Sequence, residues 1–459
     1  MRVTEHGGVS VLAEMVRRLG LLNEIDASLN LLATHQPYRE STHVLAIALN
    51  IAAEGRCLQD AQRQREDKAL LATLGVDRLP AASTSGDFLR RFTSPDVIKL
   101  EEAVNRVRVE VWNAFLPQPQ RELGIIDGDG STAETDGECK EGTDFTYNKK
   151  FGYHPLLISL ANTREPLYLV NRPGNRPSHD NAAAYYDRAI AVVRQSFRKV
   201  LLRGDTDFSQ SAHLDRWHDD GIQFLFGFDA RKNLCDLADG LEASAWRTLH
   251  RPPKYEVQTI PRGKRKNVKE EVVERRKYRT IKTVGEEVAE FLYRPVACSR
   301  MYRMVVLRKR LEEWEGKQRM LDKVRYFFYI TNCSDSASEI VLLANKRCNQ
   351  ENLIEQLKNG VHAMKMPLGT LVANNAHMVC AALAWTLKAW LALLAPSESH
   401  RDRLLRMKFA TFVREMIRVP CQIVRTARHL IQRIVKPTHW TELLLAIINR
   451  IRRINPASA

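Results

Sequence analysis

Leu123-Gly124-Ile125-Ile126-Asp127-Gly128-Asp129-Gly130-Ser131-Thr132 is the stretch on which the reading of the chain turns. Its apolar start predicts a strand, and alternate strand residues share a face, so Ile125, Asp127 and Asp129 point the same way. Two carboxylates on one face at the end of a buried strand are costly unless a cation meets them; a divalent metal ion is one such cation. The same letters fit a turn, because Asp-Gly pairs commonly close strands. Taken alone, the stretch leaves both readings open.

A second segment, Val200-Leu-Leu-Arg-Gly-Asp205-Thr-Asp207-Phe-Ser209, repeats the design of an apolar strand followed by acids. In open α/β sheets ligand sites lie beyond the carboxyl ends of strands, where both segments put their carboxylates. Asp207 also fits the cap of a following helix. A third segment, Asn345 to Gly360, reads as one helix closed by a glycine C-cap. On it Arg347, Glu351 and Lys358 fall within roughly 40° of each other, beside an apolar stripe of Leu353, Ile354, Leu357 and Val361. An ordinary surface helix with an Arg347–Glu351 ion pair has the same pattern.

Outward from these segments the texture divides. The first 118 residues show helical apolar spacing, as in Val11-Leu12-Met15-Val16-Leu19 and Val44-Leu45-Ile47-Ala48-Ile51. A capping residue within Ser83-Thr84 predicts a short helix over Asp87–Phe92. Residues 119–235 alternate short apolar runs with helical stretches, which indicates an α/β core. Residues 236–320 look like a basic, β-rich insertion with runs at Arg262-Gly-Lys264-Arg265-Lys266 and Arg275–Arg279. A core-like pattern returns over 321–396, and 397–459 reads as a basic helical tail running through Arg401, Arg414, Arg418, Arg425, Arg428 and Arg433. The apolar stretch Met378–Ala395 carries Lys388 in its middle and reads as a buried helix rather than a membrane span.

The 459 residues carry 70 Lys+Arg against 54 Asp+Glu, a net charge of +16, which favours a polyanionic partner through counterion release. Eight cysteines without a CxxC pair argue against a zinc site and a secreted disulfide framework. The N-terminus lacks the profile of a signal peptide, so the expected location is cytoplasmic, on the nucleoid when bound to DNA, with no membrane partner. Three carboxylates from separate elements are what a pair of Mg²⁺ ions needs to drive an in-line phosphodiester displacement, with Arg347 and Lys358 holding flanking phosphates.

In these residues the chain resembles the DDE transposases of bacterial insertion sequences, in the branch with a Tyr-Arg-Glu-Lys signature around its third acid. The signature's arginine, glutamate and lysine fall on Arg347, Glu351 and Lys358, and its tyrosine position falls on Ala344. Ile126–Thr132, Lys140–Gly142 and Gly152–Leu156 are similar to the first catalytic segment, and Leu202–Ser209 to the second. Gly55–Asp60, Ser83–Arg91 and Ala373-Asn374 also match. The resemblance implies Asp129, Asp205 and Glu351 as the catalytic, metal-binding triad, with Asp127 a competing first acid and further metal ligand. It implies a ribonuclease-H-like core interrupted by the β-rich insertion, for which the roughly 145-residue gap between Asp205 and Glu351 leaves room. It further implies Mg²⁺, for which Mn²⁺ can substitute, and double-stranded DNA as partner, both element terminal inverted repeats and target DNA. A homodimer in the synaptic complex and an insertion tryptophan, Trp314 or Trp246, stacked on a flipped base complete the expectation. The expected function is Mg-dependent cleavage and strand transfer; the alternatives are an inactive DNA-binding relative and a nuclease of the same fold without strand transfer.

Overall fold

A computed structural model describes residues 2–252, 268–316, 318–426 and 429–454. The protein is mixed α/β and divides into two compact units, Met1–Val200 with Asn349–Ala459, and Leu201–Cys348.

The first unit opens with helices Gly7–Arg18, Leu21–Ser28, Glu40–Ala52, Ala61–Glu66, Lys68–Leu74, Ala82–Leu89 and a long helix α1, Ser94–Phe115. The apolar residues that predicted helices, Val11 to Leu19 and Val44 to Ile51, are buried. Helix α1 starts at a capping box in which Thr93 and Asp96 satisfy each other's orphan groups, with a proline at its start. The short helix expected at 87–92 begins earlier, at Ala82, with no side-chain cap, so Ser83 and Thr84 lie inside it.

Strand β1 (Leu123–Gly130) pairs antiparallel with β2 (Leu156–Leu160), which pairs with β3 (Glu165–Val170). Helix α2 (Ala182–Val193) packs against β1. Strand β4 (Lys199–Gly204) then leads into the second unit, where it runs parallel to β5 (Gln223–Phe228). Long antiparallel strands β6 (Arg279–Tyr293), β7 (Tyr302–Glu315) and β8 (Gln318–Thr331) follow, and β8 closes onto β5. The expected β-rich texture is present here, and β8 runs unbroken through residue 320, where the core was expected to resume. Helix α3 (Ala337–Asn345) ends this unit.

The chain returns to the first unit with helix α4 (Cys348–Glu355) and helix α5 (Leu371–Leu393). Helix α5 is long and apolar enough to cross a membrane, yet 94% of its most apolar window is buried inside the protein, as expected for a core helix. Its Lys388 is buried, donating to the Leu405 carbonyl at 3.0 Å and lying 3.9 Å from the Trp385 ring centre. Burial holds the Lys388 ammonium well below its ordinary pKa.

The tail departs from its all-helical reading. Between helices Glu398–Arg406 and Thr441–Arg452, strands Cys421–Arg425 and Leu430–Ile434 pair with each other, and the first also pairs with Arg2–Thr4. The cause is a period-two pattern: Cys421 and Ile423 point into the core while Gln422 and Val424 do not, just after Pro420. Arg428 lies outside the described residues.

On α1, Glu101 is buried and accepts a hydrogen bond from the Leu169 backbone N–H at 2.7 Å. Burial pushes its carboxyl from 4.5 up to about 8, against the lowering effect of that N–H and of Arg108. The folded state therefore holds a proton that the unfolded state has released, so this contribution is complete below pH 4.5 and is lost as pH rises through 8. Glu101→Gln, which is neutral throughout, is expected to flatten that alkaline decline, as read from urea midpoints at about pH 5 and about pH 9.

Candidate active site

Both acids of the first segment lie within β1, which decides against the turn reading. Asp127 sits across from Ser159 and is 1% exposed; Asp129 sits across from Leu157, one step from the strand end, and is partly exposed. The alternating glycines have a steric reason. A Cβ on Gly128 would come within 2.1 Å of the Tyr186 hydroxyl on α2, and one on Gly130 within 2.8 Å of His154 Nε2. Only glycine lets the helix and the histidine press on that face while the acids occupy the other.

Asp205 follows directly on the buried strand β4. Its carboxylate accepts from the Asp207 N–H at 3.1 Å, so Asp205, rather than Asp207, caps the short 3-10 turn Thr206–Phe208. Gly227 of β5 makes room for this turn, since a Cβ there would meet Thr206 N at 2.9 Å. Burial raises the Asp205 pKa above the ordinary value, countered by Arg347, whose guanidinium is 3.7 Å away, and assisted by Asp207.

The third segment is not one helix. Helix α3 stops at Asn345 and Lys346-Arg347 form a turn before α4. Arg347 therefore does not share a helical face with Glu351, and the partner it reaches is Asp205. Ala344, at the signature tyrosine position, accepts the Arg347 backbone N–H through its carbonyl at 3.2 Å. Glu351 is exposed in the first turn of α4, with Leu353, Ile354, Leu357 and Val361 buried as expected. The glycine C-cap is replaced by a π turn, Gln356–Gly360, ending at Val361.

A hydrogen bond and an electrostatic effect tie this segment to the strand of the first acid. Buried Gln350, next to Glu351, donates to the Leu157 carbonyl at 3.4 Å, and Leu157 is the cross-strand partner of Asp129. Lys358 lies within electrostatic reach of Asp129: burial and Lys150 lower the lysine's pKa, while Glu134 and, to a smaller extent, Asp129 raise it. Asp129, Glu351 and Lys358 thus belong to one neighbourhood of the first unit. Asp205 and Arg347 form a pair in the second.

Of the other expected DNA contacts, Arg262, Lys264, Arg265 and Lys266 lie outside the described residues. Trp314, on β7, donates its indole N–H to Glu312 at 3.0 Å and lies under the Lys282 ammonium, 4.8 Å from the ring centre. Trp246 is stacked by the Arg308 guanidinium at 3.8 Å. Both indoles therefore already attract a cation in the second unit. Among the described residues no three histidine, cysteine or carboxylate side chains are gathered as a metal cluster. Asp129, Asp205 and Glu351 offer oxygen donors only, which suits a hard divalent cation.

The family model described as "Transposase DDE domain group 1" matches residues 1–456. The chain belongs to that family of transposases. No curated protein matches it. A solved chain from the piggyBac transposase synaptic complex with hairpin DNA is similar over 98% of this chain and 83% of its own, with 9% identity and a TM-score of 0.35, too loose a likeness to define the fold.

In this DDE transposase, several buried or loop-joining polar residues near the candidate acids were given no role by the sequence reading. Gln350 is the clearest. Asn374, quoted only as part of a matching block, is fully buried and exchanges hydrogen bonds with the Leu368 backbone at 2.8 Å in both directions. Lys140 donates to the Met366 carbonyl at 2.7 Å, joining the first-acid loop to the segment that follows Lys358. A polar residue one place from a candidate acid is the one available signal for Gln350.

Proposed function

We propose that this transposase cleaves DNA at the ends of its mobile element and joins the freed strands to target DNA, using a divalent metal ion, Mg²⁺ or in its place Mn²⁺. Asp129, Asp205 and Glu351 would hold the ion in a ribonuclease-H-like core, with Asp127 behind Asp129. Asp129 is the better first acid of the two because its carboxylate is partly exposed while Asp127 is closed in. The observation that carries the reading is the seating of the Glu351 helix on the Asp129 strand through Gln350.

When bound, the ion would activate the attacking water or 3′-hydroxyl and relieve charge on the leaving oxygen. The chain's own groups would do the rest. Lys358 and Arg347 would bind phosphates flanking the scissile one. Arg347 offsets part of the burial that raises the Asp205 pKa. The partner is double-stranded DNA, both element ends and target, handled by a synaptic homodimer. In this reading residues 1–118 would form the end-binding region.

The test is a labelled element-end duplex incubated with Mg²⁺ or with chelator. Metal-dependent cuts together with joined products are expected. Cuts without joined products would make the protein a nuclease of this fold, and binding without cuts would make it an inactive relative.

A further inference from the structure

The block Gly55–Asp60 follows the helix Glu40–Ala52 and folds as a tight mount for one side chain. Buried Asn50, on that helix, donates to the Cys57 carbonyl at 2.9 Å. A Cβ on Gly55 would come within 2.3 Å of the Asn50 side-chain oxygen, so this close approach requires glycine. The Asp60 carboxylate turns back on the block and accepts the Arg56 and Cys57 backbone N–H groups at 2.7 and 3.2 Å, bonds that hold its pKa below the ordinary value. What the mount presents is the Arg56 side chain, which is exposed and, among the described residues, forms no ion pair.

Far along the chain but in the same unit, His362 lies within electrostatic reach of Arg56. Burial lowers the ring's pKa, Lys365 and Arg56 lower it further, and the Lys358 backbone and Asp60 raise it. Lys365 is exposed and, like Arg56, forms no ion pair among the described residues. The backbone that carries these groups is strained. His362 and Met366 flank the short 3-10 turn Ala363–Lys365 in left-handed conformations, with φ 54° and 49°, which are unfavourable for residues other than glycine. Bonds at both ends hold the turn in place: the Val361 N–H donates to the Gln356 carbonyl at 2.9 Å, and Lys140 donates to the Met366 carbonyl at 2.7 Å. Strain and the repulsion between gathered cations both work against the isolated folded chain. An entering anion would offset them.

Resting on the transposase reading, we propose that Arg56 and Lys365, together with His362, form one phosphate site, and that its occupant is the DNA backbone next to the stretch held by Lys358. The guanidinium supplies a planar fork, the ammonium a compact charge and the imidazole a further donor. Such a contact carries no sequence information and fixes register and orientation. Because the site joins the N-terminal helical region to the segment that follows Glu351, a phosphate held there would set the duplex end relative to the candidate acids of the first unit.

The test measures the affinity of the full-length protein, with Ca²⁺, for an element-end duplex and for copies in which one backbone phosphate at a time is a neutral methylphosphonate. For the wild type, neutralising one phosphate near the cleavage point is expected to cost about tenfold. The double variant Arg56→Gln with Lys365→Gln is expected to bind the parent duplex about tenfold more weakly and to be indifferent to that same methylphosphonate. Its slope of log affinity against log salt should fall by about one. Arg56→Lys with Lys365→Arg, which keeps both charges, should retain the wild-type slope. His362→Ala is expected to blunt the response to that phosphate alone. Urea midpoints should match the wild type, since Arg56 and Lys365 are exposed. A double variant with the wild-type affinity, slope and methylphosphonate profile would overturn the inference while leaving the transposase reading standing. So would a double variant that is weaker but still responds to every methylphosphonate as the wild type does, because the two residues would then not share a phosphate. A wild type that binds none of the duplexes would overturn that reading and this inference with it.

Discussion

Replacing Asp205 with asparagine is expected to lower single-turnover cleavage and joining by on the order of a thousandfold or more, with duplex affinity unchanged. The side chain keeps its shape and loses only its charge, so a metal-dependent step is what the substitution removes. Stability should not suffer. Burial already pushes the Asp205 carboxyl above its ordinary pKa, with Arg347 offsetting part of that effect. A neutral amide relieves the partly buried carboxylate, at the cost of its attraction to Arg347. The pH dependence has a definite sign. If the anion is the working form, wild-type activity falls as pH drops through the raised pKa, and the decline begins at higher pH than for an unperturbed aspartate. An Asp205→Asn protein that cleaves as fast as the wild type would remove Asp205 from the candidate triad.

The largest expected stability effect lies away from the acids. Glu165 on β3 is fully buried and accepts from Arg108 Nε at 2.9 Å, Trp112 Nε1 at 2.9 Å and Trp390 Nε1 at 2.8 Å. Arg108 also donates to the Pro166 carbonyl at 2.9 Å. One carboxylate thus pins α1 and α5 to the strand layer that carries β1. Glu165→Gln leaves the Arg108 guanidinium buried without its counter-charge and turns an amide N–H toward an indole N–H. A loss of about 3–5 kcal/mol is expected, the range for breaking one side of a buried pair. The double variant Arg108→Met with Glu165→Gln should recover a large part of that loss. Urea unfolding reads both; a single variant within about 1 kcal/mol of wild type would mean that the pair is not the clamp described.

Much of the architecture was legible because periodicity reports burial. The three-four spacing of Val11 to Leu19 and the short apolar runs before Asp127 and Asp205 reflect faces turned to a core, and the elements formed where the runs stood. The single-helix reading of 345–360 failed for an instructive reason. Helical wheel angles presume an unbroken helix, and the stretch turns at Lys346-Arg347, which carries Arg347 to Asp205 instead of Glu351. The helical tail failed because basic residues mask the two-residue alternation of Cys421–Arg425 in a composition-based reading.

The sequence by itself determined the candidate acids to consider, their strand or helix settings, the basic charge and the family to which the chain belongs, because these depend on residue type and local spacing. Tertiary structure alone decided which polar groups meet. Gln350 on the Leu157 carbonyl, Glu165 among Arg108 and two indoles, and Arg56 within electrostatic reach of His362 each join residues far apart in the chain. Such pairings are chosen by how helices and strands pack, and a buried polar group takes whichever partner that packing brings within reach.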